Sequence, residues 1–146
     1  MIKRDVSLYL IERNCKYDER VHVDPLSFQI PDYFGNWLGG FIEAEGCFSH
    51  RKRGNCTFSI SQNCDEYLIK AISNYFDQGH LTISKQTGKM RNHTLYILSI
   101  SSAFGIRRVV DHCIPLLQGY KYYQLYTFVK ASKILQNRMI EFLALA

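Results

Sequence analysis

The segment Trp37–Ser49, WLGGFIEAEGCFS, constrains this chain more than any other stretch. Two adjacent glycines interrupt an apolar run, two carboxylates follow two residues apart, and a glycine comes directly after the second. Read as a helix from about Asp32, with Pro31-Asp32 as its start, the run puts Leu38, Phe41 and Ile42 on one side. Gly40 and Ala44 form a small-residue strip on another side. Glycine costs roughly 1 kcal/mol relative to alanine inside a helix, so the Gly39-Gly40 pair implies close packing on that face, with a second helix as the expected partner. Gly46 is expected to end the helix with a positive φ. Glu45 then sits at the negative end of the helix dipole, a poor place for a carboxylate without a cation, and this points to a metal.

After Gly46 the apolar spacing changes from helical to alternating. CFSHRKRGNCTFSISQ reads as two strands around Arg53-Gly54-Asn55, with Phe48, Phe58 and Ile60 on a greasy face. Cys47, Ser49, Arg51 and Arg53, then Thr57, Ser59 and Ser61, lie on the polar face. Residues 65–76, DEYLIKAISNYF, form an amphipathic helix with Asp65 at its N-cap. A second hairpin follows, HLTISKQ and HTLYILSIS joined at TGKMRN, in which Leu81 and Ile83 alternate with His80, Thr82, Ser84 and Gln86. Lys85, Lys89, Arg91 and His93 cluster at its tip.

A helix from about Ser102 to His112 comes next, Pro115 and Gly119 break the chain, and a last helix runs Tyr122–Leu135 with a tail towards Leu143. Residues 1–30 read as an N-terminal arm or extension, with SLYLIE a short strand or a helical turn, and residues 31–146 as one domain. The expected class is therefore α+β, an antiparallel sheet greasy under its helices and polar on its other face.

The 146 residues suit one domain, and 47% hydrophobic content fills its core. Eighteen Lys and Arg against thirteen Asp and Glu give +5, a balance that suits a nucleic-acid partner without requiring one. The ten tyrosines serve stacking on bases or core packing equally well. Cys15, Cys47, Cys56, Cys64 and Cys113 have no zinc-type spacing and read as reduced thiols. No stretch approaches the ~20 apolar residues of a membrane span. The first residues make a poor import peptide, so the product either stays where it is made or is encoded inside an organelle.

Leu38-Gly39-Gly40-Phe41-Ile42-Glu43-Ala44-Glu45-Gly46 resembles, at every position, the nine-letter motif of the LAGLIDADG homing endonucleases, with Gly for Ala, Phe for Leu and Glu for both Asp. Cys47-Phe48-Ser49 continues it, and the element order over about residues 32–136 is the α-β-β-α-β-β-α order of one LAGLIDADG half. The resemblance implies a four-stranded antiparallel sheet forming a DNA-binding saddle under helices. It also implies a site-specific endonuclease of a mobile intron that uses Mg²⁺ or Mn²⁺.

Carried over by position, Glu45 is the metal-binding and catalytic acid, Gln62 positions water, and Lys121, in PLLQGYKYYQ, stabilises phosphate charge. Glu43 lies on a different helical face and takes a structural or surface role. Asp65-Glu66 stand where some members carry a basic residue. One motif per chain implies a homodimer packed through Gly39, Gly40 and Ala44 over a long, roughly palindromic double-stranded DNA site.

Ser49, Arg51, Arg53, Thr57, Ser59, Ser61, His80, Thr82, Ser84 and Gln86 are the candidates for DNA contact on the polar face. Lys52, Lys85, Lys89 and Arg91 are phosphate candidates at the hairpin tips. The family further implies organellar encoding, with the mitochondrion first and a chloroplast or an archaeal cytoplasm as alternatives, and no membrane partner. Two other readings keep the fold: a maturase that binds intron RNA, and a catalytically silent DNA-binding protein. A chain of this size is also compatible with one piece of a larger reading frame.

Overall fold

The computed structural model describes residues 6–20, 23–52, 54–88 and 93–145, so Arg53, Lys89 and Arg91 lie outside the described residues. The elements are α1 (Val6–Arg20), α2 (Phe34–Glu45), β1 (Cys47–His50), β2 (Cys56–Asn63), α3 (Glu66–Tyr75), β3 (Ser84–Gln86) and β4 (Leu95–Ile100). They continue with α4 (Ala103–Cys113), α5 (Tyr120–Ala131), a 3-10 turn (Lys133–Arg138) and α6 (Met139–Leu145). From α2 to α5 this is the order expected from the sequence.

The strands form one antiparallel sheet in the order β1-β2-β4-β3. Alternation assigns its two faces. Phe58, Ile60, Leu98 and Ile100 are fully or nearly fully buried under the helices, with Phe48 packed beside them. The residues between them, including Ser59, Ser61 and Ser99, point to the opposite face.

Helix α2 anchors this arrangement. Leu38 and Ile42, one turn apart, have no exposed surface, and such burial contributes about 1.5–3 kcal/mol for each side chain. Gly39 allows the chain between α4 and α5 to close on α2, because a Cβ there would lie 3.0 Å from the Leu116 Cβ. Gly39 therefore faces its own chain and is off the outward strip, whereas a Cβ at Gly40 would meet nothing within 4 Å among the described residues beyond its own helix, and Ala44 is exposed. Gly46 does not take the expected positive φ; it is extended, at φ −71° and ψ 148°. Glycine is needed there for closeness, since a Cβ would fall 2.7 Å from Ile42 Cγ2 and 3.2 Å from the Phe58 ring.

Three other expectations change. The segment read as a short strand or turn is the helix α1, whose described side chains are all exposed. Strand β3 is confined to Ser84–Gln86, so His80 and Thr82 precede it in irregular chain. The last helix stops at Ala131 rather than near Leu135. Buried Ser132 there turns its hydroxyl back to the Phe128 carbonyl at 2.6 Å and takes an extended backbone, φ −99° and ψ 114°.

Candidate functional site

Glu45 is the last residue of α2 and is exposed, with only Gly46 between it and β1. Lys121, in the first turn of α5, sends its ammonium to the same end of α2 and donates to the Gly46 carbonyl at 2.6 Å. The structure thus brings the Lys121 ammonium to the backbone of the residue that follows Glu45. Lys121 is also a cation at the negative pole of α2, so the dipole mismatch around Glu45 is met at least in part within the chain.

Glu43 is half-buried and turned the other way. Its Oε1 accepts the Lys121 backbone N–H at 3.1 Å and its Oε2 accepts that of Gln118 at 3.4 Å, which caps the positive pole of α5. It is joined to the Lys121 segment rather than free on the surface. Burial, and then the Glu43 charge, pushes the Cys113 thiol far up, in keeping with a protonated cysteine.

Gln62 is not drawn into this cluster. It pairs with Tyr96 and shares the core-facing parity of Phe58 and Ile60, lining a groove of about 480 Å³ with Phe34, Trp37 and Phe41. No hydrogen bond joins it to Glu45 or Lys121 among the described residues.

On the polar face, β-pairing aligns Cys47 with Ser59 and Ser99, and Ser61 with Ile97 and Ser84. Ser49, Ser84 and Gln86 are exposed, Ser59 and Ser61 half-exposed. Thr57 is only 6% exposed: its hydroxyl pairs with Ser101 at 3.1 Å and the Ser49 hydroxyl donates to its carbonyl at 3.4 Å. It therefore supports that face from within instead of presenting a group to a ligand. Lys85 has the opposite parity to Ser84 and Gln86; it pairs with Glu66 at 3.2 Å and lies over the Tyr96 ring.

Residues 38–132 match the LAGLIDADG endonuclease family. The chain belongs to that family. It is 36% identical over 120 residues to a protein of Dictyostelium citrinum named probable intron-encoded endonuclease aI3, covering 79% of this chain and 46% of that one. Among solved structures, the LAGLIDADG meganuclease I-AabMI bound to uncleaved DNA is similar with a TM-score of 0.56 at 24% identity, covering 76% of this chain and 41% of that one. I-SmaMI bound to an uncleaved DNA target in the presence of calcium ions gives 0.54 at 20% identity, covering 82% and 45%. At these identities the likeness to solved structures is one of fold. The chain spans less than half the length of the curated relative and of either structure.

In this LAGLIDADG chain the motif is α2 from Leu38 with Gly46, and the α+β architecture with its four-stranded antiparallel sheet is the one the resemblance implied. Among the described residues no three or more His, Cys, Asp or Glu side chains gather to hold a metal. A lone exposed carboxylate fits a hard ion of the Mg²⁺ kind, which keeps most of its waters and shares the rest of its shell with substrate phosphates. No helix among the described residues is long and apolar enough to cross a membrane.

Leu95, Ile97 and Ser99 form the β4 row of the polar face, which the alternation in HTLYILSIS carries although two of the three are apolar. The capping contacts of Glu43 have no local signal in the sequence.

Proposed function

We propose that this chain is a site-specific double-stranded DNA homing endonuclease unit of a mobile intron, hydrolysing phosphodiester bonds at Glu45. The observation that supports the reading is the Lys121 ammonium bonded to the carbonyl of Gly46, the residue after exposed Glu45, where α2 delivers the chain into the sheet. The exposed Glu45 carboxylate holds Mg²⁺ or Mn²⁺, and such an ion, when bound, supplies an activated water and offsets phosphate charge.

Lys121 spends one N–H on Gly46 and keeps two for a phosphate oxygen. The water-positioning role that the family resemblance implies for Gln62 requires it to turn out of the groove beside α2 towards Glu45. Ser49, Ser59, Ser61, Ser84 and Gln86, with Arg51, read base edges across the saddle, while His80 and Thr82 extend its outer end. By their places in the sequence alone, Arg53 joins the base-reading set and Lys89 and Arg91 meet phosphates.

Two copies packed through Gly40 and Ala44 complete the site on a roughly palindromic target. The outward strip supports this, since Tyr33 and Trp37 continue it as exposed aromatics on the same helix face. Residues 31–146 are the working unit and residues 1–30 an arm. The intron-encoded relative supports an organellar setting, first the mitochondrion.

Intron RNA is the second reading, favoured by Tyr120 and Tyr123, which are 76% and 67% exposed on α5 and suited to stacking on unpaired bases. A catalytically silent DNA binder is a third reading, with Asp65-Glu66 as its mild support; Asp65 is buried and Glu66 pairs with Lys85.

Purified protein incubated with a randomised DNA library, in Mg²⁺ and in EDTA, tests the reading, with mass followed by light scattering. Metal-dependent cutting of a long pseudo-palindrome by a dimer is expected. Binding of nucleic acid with no cleavage in either condition would overturn it in favour of RNA, to be followed by a splicing assay.

A further inference from the structure

Where α2 meets α5, two helix ends exchange side chains. Glu43, near the C-terminal end of α2, reaches the N-terminal end of α5 and accepts the N–H groups of Lys121 at 3.1 Å and Gln118 at 3.4 Å. Lys121 reaches back and donates to the Gly46 carbonyl at 2.6 Å. Each charged group satisfies a backbone group that a helix end leaves unpaired, and each meets the pole of opposite sign.

These bonds close a ring. It runs from the Glu43 carboxylate to the Lys121 backbone, along the Lys121 side chain to Gly46, and back to Glu43 through Ala44 and Glu45. Glu45 is therefore part of the ring that fixes the ammonium. The connection before α5 is shaped to admit the carboxylate, because a Cβ at Gly119 would collide with Glu43 Oε1.

We propose that Glu43 is a positioning residue for cleavage: by pinning the start of α5 it sets the Lys121 ammonium one residue from Glu45. The proposal rests on the nuclease reading. A carboxylate suits the task because both of its oxygens accept; a glutamine in its place would turn an NH₂ towards one of two N–H donors. A cap that serves stability alone would show no coupling to the lysine.

The test is a cycle of E43Q, K121M and the double variant, made in the full chain and assayed on a target taken from the cleaved library. Single-turnover rates and DNA affinity are measured, together with amide hydrogen exchange at Gln118 and Lys121. E43Q is expected to bind DNA within about two-fold of wild type but to cut about ten-fold slower or worse, the scale set by small misplacement of a catalytic group. In the K121M background the same change is expected to cost nothing further, since both act through one ammonium.

Cutting by E43Q at the wild-type rate, or an equal fractional loss in both backgrounds, would overturn the proposal. If E43Q does not fold, E43D enters the same cycle under the same criteria. A wild type that cuts no DNA sinks the nuclease reading and the positioning role together. The exchange arm then stands alone: unchanged protection of the Lys121 amide in E43Q would also remove the ring.

Discussion

At Gly46 the space for a side chain is already taken: a Cβ would lie 2.7 Å from Ile42 Cγ2 and 2.8 Å from the Ile42 carbonyl oxygen. Its φ of −71° is open to any residue, so a Gly46→Ala change acts through overpacking and is expected to destabilise by about 1–3 kcal/mol. A thermal melt beside wild type measures this, and an unchanged Tm would contradict it. The position was legible in the sequence as a glycine ending a helix, but its reason was not, because Phe58 reaches it from β2. Glu45 was legible for a local reason, an acid at a helix end followed by glycine. Glu43 was not, since the groups it caps lie 75 and 78 residues further along the chain.

Among the elements, those with a strong period could be read directly, and those ended by a tertiary contact could not. The alternation of β2 and the spacing of α2 located both to within a few residues. The end of α5 depends on Ser132 packing against Cys56, 2.8 Å away across the core, with no Gly or Pro to announce it. Helix α4 carries a different dependence. His112 is packed edge-on against Tyr75 and Phe76, with the Tyr75 hydroxyl 3.3 Å from Nδ1. Burial holds its imidazole below the ordinary range, partly offset by the Gly35 backbone. The unfolded chain, titrating near pH 6.5, takes up this proton more readily than the folded chain. The stability His112 contributes is thus complete above about pH 6.5 and lost as the pH falls below it. Tm is expected to be lower at pH 5.5 than at pH 7.5, with His112→Asn flattening the difference; an equal slope in that variant would contradict the assignment.

For the whole molecule, an antiparallel sheet with one face under helices followed from period and turn residues, because sheet and helices bury one greasy face each. Which groups meet at the end of α2 did not, because it depends on where the chain after Pro115 returns. Assembly is tested at Gly40, where an added Cβ would meet nothing within 4 Å among the described residues beyond its own helix. Gly40→Leu is expected to keep or raise thermal stability, since leucine exceeds glycine in helix propensity by nearly 1 kcal/mol, while abolishing self-association and cleavage together. Retention of a dimer by light scattering would place the interface elsewhere. The central claim is that the carboxylate ending α2 does the cutting. Its most direct test is the single-turnover rate of Glu45→Gln against wild type on the library-derived site in Mg²⁺, with DNA affinity measured in parallel. Affinity close to wild type with cleavage slowed by about 100-fold or more is expected, on the scale of losing a catalytic electrostatic group; cleavage by the variant at a comparable rate would contradict it.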